Sequence, residues 1–316
     1  MPLRIVFCGT PAFALPTLKH LIAQPDFQIE AVVTQPDRPR GRGHEVSSSP
    51  VKDAALDAGI AVYQPEKIKS ESGQNFFTRI APDAVVIIAY GQIISQTLLD
   101  IPRLGWINLH GSLLPKYRGA APINWAIVNG EARTGVTTMQ VNAGLDTGPI
   151  LLKYETEIGP DETAPQLAAR LAEAGAPLIA ETLRKLDRGN VTPEPQDDSQ
   201  ATLAPLLKKE DGRIDWSQPA QAIYNRIRGL QPWPGAFTTF RGKNCHIWGR
   251  PADDAIQTQP PAPPGAIIVT AGELAVACGG NTAFHIDLAQ LEGRKRVTAR
   301  EFASGARLAP TDRFGD

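Results

Sequence analysis

Ala84-Val85-Val86-Ile87-Ile88-Ala89 is an unbroken apolar run whose four central residues are all β-branched. Without polar alternation, such a run predicts a strand buried on both faces, as in a parallel sheet covered by helices. Toward the N-terminus the pattern repeats. Residues 3–8 form a short apolar strand, Gly9-Thr10-Pro11 turns the chain, and a helix is expected over about 12–23. Residues 29–34 give another strand, and Ser49-Pro50 reads as cap and first turn of a helix through 58. Strands separated by helical stretches imply βαβ units. The expected fold class is therefore α/β, a Rossmann-like, doubly wound, mostly parallel sheet.

Beyond this region the grammar changes. An Ala/Leu-rich helix is expected over about 163–186, then a Pro-, Asp-, Gln- and Thr-rich stretch without periodicity. We expect a first domain over 1–189, a linker over 190–205 and a second domain over 206–316. The second begins with a helix near 218–228 and a Trp233-Pro234-Gly235 turn. Short strands follow at 236–240, 244–248, 266–269, 274–277 and 284–288, with a stiff Pro-rich loop at 260–264. Close spacing of short strands suggests a smaller OB-like β-barrel domain.

A length of 316 residues suits two domains, and 42% hydrophobic residues are enough for ordinary cores. The apolar runs are too short to cross a bilayer. No basic-then-apolar leader opens the sequence, so a cytoplasmic protein is expected, as a monomer. Three scattered cysteines and five histidines without ligand spacing argue against a disulfide framework or a metal site. Net charge is −1, but residues 206–316 carry 14 Lys and Arg against 11 Asp and Glu, whereas residues 1–205 carry 18 against 22. That asymmetry alone does not imply a nucleic-acid partner.

Two Gly-bounded segments carry chemistry: Asn108-Leu109-His110-Gly111-Ser112-Leu113-Leu114-Pro115 and Gly144-Leu145-Asp146-Thr147-Gly148-Pro149. Gly105-Trp106-Ile107 reads as the buried strand leading into the first. Asn108 and His110, two apart on a strand, point to one side. Asp146 lies far along the chain, so its approach to His110 has to be tertiary. A lone His is more often a satisfied core residue, and Asp in such a turn is often only a turn former. If the three converge, an amide and an imidazolium supported by a carboxylate can receive an oxyanion, as acyl transfer requires. Ser112 does not sit in a nucleophile elbow, so direct transfer to an amine fits better than a covalent intermediate. Gly9-Thr10-Pro11-Ala12-Phe13-Ala14 lacks the later glycines of a dinucleotide fingerprint, and Pro11 and Phe13 would block a pyrophosphate.

The run from Asn108 through Lys116-Tyr117-Arg118-Gly119-Ala120-Ala121-Pro122-Ile123, with Gly144 to Pro149, resembles the signature of folate-dependent formyltransferases. The resemblance implies formyl transfer from 10-formyltetrahydrofolate to an amine, with no metal. Asn108 and His110 would stabilise the formyl oxyanion, while Asp146 would keep His110 charged and help relay the amine's proton. A pterin pocket is implied beside them, walled by Ile88, Ala89, Tyr90, Gly91, Gln92 and Ile93 and rimmed by Ser112, Leu113, Leu114 and Pro115. The apolar members of that set also read as plain core.

The acceptor amine is a separate question. Gln35 to His44 is a Pro/Gly-rich loop with Arg38, Arg40 and Arg42 at alternate positions, suited either to phosphates and unpaired bases or to plain solvation. It resembles the loop that the methionyl-tRNA branch of this family sets against the acceptor end of initiator tRNA. His44-Glu45 stands where further basic residues are expected. Segments 207–216, 225–235 and 293–302 resemble the C-terminal domain of the same branch, and the likeness spans nearly the whole chain. Lys208, Lys209, Arg294, Lys295 and Arg296 are candidates for a phosphate path. Trp216 and Trp233 read as core or junction residues. A formyltransferase for a sugar amine or glycinamide nucleotide, an RNA-binding protein on a degenerate scaffold and a formate-releasing hydrolase remain alternatives.

Overall fold

A computed structural model describes residues 1–40, 45–252, 262–270, 273–309 and 311–315. Its strands run β1 Leu3–Gly9, β2 Phe27–Val33, β3 Arg38–Arg40, β4 Glu45–Ser47, β5 Val62–Tyr63, β6 Ala84–Ile88, β7 Trp106–His110, β8 Arg133–Gln140 and β9 Ile150–Glu157. Between and after them come helices α1 Leu15–Ile22, α2 Pro50–Asp57, α3 Glu71–Ile80, α4 Gln96–Leu99, α5 Pro122–Val128 and α6 Ala164–Asp187. The chain forms two compact units, the first holding residues 1–122, 133–157 and 166–205.

In the first unit seven strands are ordered β5-β2-β1-β6-β7-β8-β9. The pairs among β5, β2, β1, β6 and β7 are parallel, and β8 and β9 add an antiparallel edge. The chain builds outward from β1 on one side, then crosses to β6 and β7 on the other, so a topological switch lies between β1 and β6. Open α/β sheets bind ligands at the carboxyl ends of the strands there. All five residues of β6 are buried, as its apolar run predicts. Each fully buried Val or Ile contributes roughly 1.5–3 kcal/mol. Phe77 of α3 packs on Trp106 of β7 at 5.1 Å between ring centroids, and the Trp106 Nε1–H donates to the Leu98 carbonyl at 2.8 Å.

The Ser49 hydroxyl accepts from the Lys52 amide and caps α2, as read from the sequence. The helix expected over 12–23 is instead a 3-10 turn, Ala12–Ala14, followed by α1 with Pro16 in its first turn. Strand β8 was not foreseen, because Thr134, Thr137 and Thr138 make Arg133–Gln140 look polar. All three are buried, and Thr138 meets Thr182 of α6 hydroxyl to hydroxyl at 2.9 Å. Behind β7, Gly175 of α6 packs where a Cβ would stand 2.3 Å from the Leu109 side chain. That close approach braces the strand from the face opposite Asn108 and His110.

The second unit holds residues 123–132, 158–165 and 206–316. Residues 123–132 and 158–165, expected inside the first domain, belong here through hydrogen bonds. Asn124 donates to the Gly229 carbonyl at 2.7 Å, and Arg228 donates to the carbonyls of Gly159 and Glu162 at 3.1 and 3.0 Å. After α7 Ala220–Gly229 come β10 Phe237–Phe240, β11 Lys243–Pro251, β12 Ile267–Thr270, β13 Glu273–Cys278, β14 Thr282–Leu291, β15 Val297–Thr298 and α8 Ala299–Ala306. The antiparallel order is β10-β11-β14-β13-β12, with β15 on β14. Residues 313–315 strap the two edge strands into a barrel. The Phe314 amide donates to Gly265 O at 2.8 Å and the Gly315 amide to Thr239 O at 2.9 Å. Trp216 is core, donating to Thr238 Oγ1 at 2.9 Å, whereas Trp233, read as core or junction, is 55% exposed. Of the Pro-rich loop at 260–264, residues 260 and 261 lie outside the described residues.

All three cysteines are buried and free. Burial pushes the Cys8 thiol far above its ordinary value, Cys245 up to about 11 and Cys278 up to about 12. Among the described residues no helix is long and apolar enough to cross a membrane.

Candidate active site

Strand β7 delivers Asn108 and His110 to one side, as the two-residue spacing demands. Its partner on one side is β6, parallel, with Ile87 opposite Asn108. On the other is β8, antiparallel, with Thr137 opposite His110. Thr137 then shapes the strand's exit: its hydroxyl donates to Ser112 O at 2.7 Å and accepts from the Leu114 amide at 3.1 Å. Ser112 is fully buried and donates to Lys116 O at 2.6 Å. Leu114 sits in a small core cluster with Met139 and Ile150, and Leu113 is half-buried.

His110 is 5% exposed, and its Nε2 lies 2.8 Å from Tyr117 O. A carbonyl only accepts, so Nε2 carries a proton. The other ring nitrogen, Nδ1, stands 3.7 Å from Asp146 Oδ2. The tertiary approach expected between these residues is therefore present, but 3.7 Å exceeds a direct hydrogen bond. Asp146 Oδ2 accepts from the Gly119 amide at 2.9 Å. Among the described residues no protein donor reaches Oδ1, and the half-buried Asn108 amide has no protein partner. The site thus offers an amide, an imidazole nitrogen and a carboxylate oxygen not committed to the protein's own hydrogen bonds.

Asp146 has φ +52°, a left-handed conformation uncommon outside glycine. Residues 190–205, expected as a plain linker, run along this turn and hold it. The Gln196 Nε2 donates to Asp146 O at 2.8 Å and Gly148 O at 2.7 Å. Its Oε1 accepts from the buried Arg118 guanidinium at 3.0 and 2.8 Å. Sequence reading missed both residues. Arg118 is buried, and an arginine is rarely buried unless paired, but that burial is a tertiary fact the quoted run does not display.

At the switch point lies a cleft of about 770 Å³. Thr10 and Pro11 line it after β1, Gln35 after β2, and Ala89, Tyr90, Gly91, Gln92 and Ile93 after β6, with Arg38, Glu66, Lys67 and Lys69 at its basic margin. Ile88 stays buried in β6. Ala89 has φ +47° where the chain leaves the strand, and Ile93 is 82% exposed. Gln35 fixes the loop by donating to Tyr90 O at 2.9 Å. Because β6 and β7 are parallel neighbours, this loop and the exit of β7 emerge on the same edge of the sheet.

Among the basic candidates, Arg38 is exposed and pairs with Glu66 at 3.6 Å. Arg42 lies outside the described residues, as does the side chain of Arg40. Lys208, Lys209, Arg294 and Lys295 are exposed on the second unit. Arg296 places its guanidinium 3.7 Å from the Trp248 ring centroid.

Two family models match this chain: formyl transferase over residues 3–183 and formyl transferase C-terminal domain over residues 206–307. The chain belongs to the formyl transferase family. Among relatives of similar length, a methionyl-tRNA formyltransferase from Solibacter usitatus is 56% identical over 314 residues, covering 99% of each chain. A methionyl-tRNA formyltransferase from Koribacter versatilis is 52% identical over 312 residues, covering 98% of each. The fold is that of a sugar 3N-formyltransferase crystallised with dTDP and 5-N-formyl-THF. It superposes with a TM-score of 0.68 at 18% identity, over 93% of this chain and 100% of that one. As a family member the chain is a transferase of formyl groups, and Asn108, His110 and Asp146 all fall within the first matched segment.

Proposed function

We propose that this chain transfers the formyl group of 10-formyltetrahydrofolate to the free amino group of methionyl-initiator-tRNA, by direct attack through a tetrahedral intermediate. The observation that carries the reading is the approach of His110 to Asp146 beside an uncommitted Asn108 amide. The amine nitrogen bonds to the formyl carbon while the carbonyl electron pair moves onto oxygen. Asn108 N–H and a protonated His110 Nδ1 donate to that oxyanion. Asp146 Oδ1 accepts the proton the amine sheds, and collapse breaks the bond to the folate nitrogen, which leaves with a proton. At 3.7 Å from each other, His110 Nδ1 and Asp146 Oδ2 are close enough for both side chains to reach one reacting group seated beside them.

The folate fits the switch-point cleft. Its flat pterin suits the backbone edge of 89–93, which follows the buried Ile88, with Ser112, Leu113, Leu114 and Pro115 shaping the adjoining exit of β7. The basic margin suits the carboxylates of its glutamate tail. We assign Arg38, Arg40 and Arg42 to the tRNA acceptor end. Lys208, Lys209, Arg294, Lys295 and Arg296 form a phosphate path on the barrel. Full-length likeness to methionyl-tRNA formyltransferases, in the barrel unit as well as the catalytic one, supports this acceptor over a sugar amine. A cytoplasmic location goes with a reaction on charged tRNA.

The reading is tested by incubating the protein with formyl-labelled 10-formyltetrahydrofolate and charged initiator tRNA. N-formylmethionine on the tRNA, with no formyl adduct on the intact protein by mass, is expected. A stable formyl-protein adduct that discharges to the tRNA would overturn direct transfer.

A further inference from the structure

Residues 117–119 touch both members of the His110–Asp146 pair in succession. Tyr117 O accepts from His110, Arg118 leads through Gln196 to the Asp146 main chain, and the Gly119 amide donates to the Asp146 carboxylate. The middle link has one possible polarity. A guanidinium has no acceptor, so the Gln196 oxygen must face Arg118, and the amide NH₂ must then face the two carbonyls of the Asp146 turn. Gln196 Nε2 closes 2.8 and 2.7 Å contacts to Asp146 O and Gly148 O, the first of them on the carbonyl of the residue in the left-handed conformation. Arg118 is itself immobilised. Its amide donates to Thr202 O, its carbonyl accepts from Ala204 N, and its Nη2 pairs with Asp198 at 2.7 Å.

We infer that Gln196, its amide oriented by Arg118, is a positioning residue that holds the Asp146 carboxylate at the reacting centre. The inference rests on the reading of Asp146 as the proton acceptor. The rest of the turn is held locally: Asn142 accepts from the Gly144 amide and from the Thr147 hydroxyl, with Gly144 and Leu145 exposed. Gln196 is what ties the peptide of Asp146 itself to a buried cation. Without it the turn relaxes toward a more ordinary backbone conformation and the carboxylate swings away from His110. Misplacing a reacting group by about 1 Å can cost ~10²-fold in rate.

The test uses Gln196→Leu, which keeps the volume and loses the hydrogen bonds, and Gln196→Glu, whose carboxylate accepts from Arg118 but donates to neither carbonyl. For both, kcat is expected to fall by about 10- to 100-fold. KM for 10-formyltetrahydrofolate and for Met-tRNA, folate-binding stoichiometry and melting temperature should stay near wild type. The pH profile of kcat/KM should change shape, because the carboxylate's surroundings have moved. Wild-type kcat in Gln196→Glu, or a loss of kcat matched by a loss of folate-binding sites, would make the contact merely structural and overturn the inference. Asp146→Asn is run alongside: retained turnover there defeats the reading of Asp146. A dead Asp146→Asn with fully active Gln196 variants defeats the positioning role alone.

Discussion

His110 Nδ1 faces Asp146 Oδ2 across 3.7 Å while the opposite ring nitrogen is held by Tyr117 O at 2.8 Å. The imidazole is thus pinned from behind, leaving a single edge for chemistry. Removing either partner should therefore abolish turnover without unfolding the site. For His110→Ala and Asp146→Ala we expect kcat to fall by at least about 10²–10³, with tRNA affinity within a few-fold of wild type. Steady-state kinetics paired with a filter-binding isotherm decide this, and near-normal turnover in either variant would remove the pair from the mechanism.

Gly119 adopts φ +120°, and a Cβ there would stand 2.7 Å from the Ala204 carbonyl oxygen, a backbone atom with little freedom to move. Its amide also carries the Asp146 carboxylate. Gly119→Ala should lose about 1–3 kcal/mol of stability and most of the activity together. Denaturant unfolding beside the activity assay reads both. A stable, active variant would mean that the loop over 117–121 tolerates displacement.

On the barrel, the exposed pair Arg294 and Lys295 is assigned to phosphates. The double variant Arg294→Ala with Lys295→Ala should raise KM for Met-tRNA, leave KM for the folate alone, and flatten the salt dependence of tRNA binding. Each lost phosphate contact lowers that slope by about 1. An unchanged slope would return these residues to ordinary surface solvation.

Closure of the barrel carries a pH signature. Arg241 donates to both Asp312 oxygens at 2.8 and 2.6 Å, and the Ala309 amide donates at 2.6 Å. The guanidinium, with that amide, holds the Asp312 carboxyl well below the ordinary value, at about 2. An unfolded aspartate titrates near 3.9. The folded group binds its proton less readily than the unfolded one, so the stabilisation is complete above about pH 4 and disappears as pH falls toward 2. Asp312→Asn should lower the melting temperature at neutral pH and narrow its gap to wild type as the solution approaches pH 2. A constant gap across that range would deny the linkage.

Much of this was legible from residues alone, for physical reasons that differ by element. The five buried residues of β6 announce a two-sided parallel strand, and the Asn108/His110 spacing follows from strand geometry. The antiparallel strand β8 was hidden because its buried Thr137 and Thr138 satisfy their hydroxyls on neighbouring elements, a fact no linear pattern contains. Gln196 was hidden more thoroughly. It stands in an aperiodic stretch, and its value comes from Arg118 and Asp146, 78 and 50 residues away. Segments 123–132 and 158–165 joined the second unit for the same reason, through Asn124 and Arg228. In the proposed reading the trio specifies the reaction, and the acceptor is decided by surfaces that the trio does not touch.

The central claim, formyl transfer to a tRNA-borne amine, is tested most directly by competition. Met-tRNA, a nucleotide-linked amino sugar and glycinamide nucleotide are offered together with limiting 10-formyltetrahydrofolate, and the formylated products are counted. The account predicts that nearly all of the formyl group appears on Met-tRNA and that the share collapses in Asp146→Ala. Preferential formylation of the sugar or the nucleotide amine would contradict it.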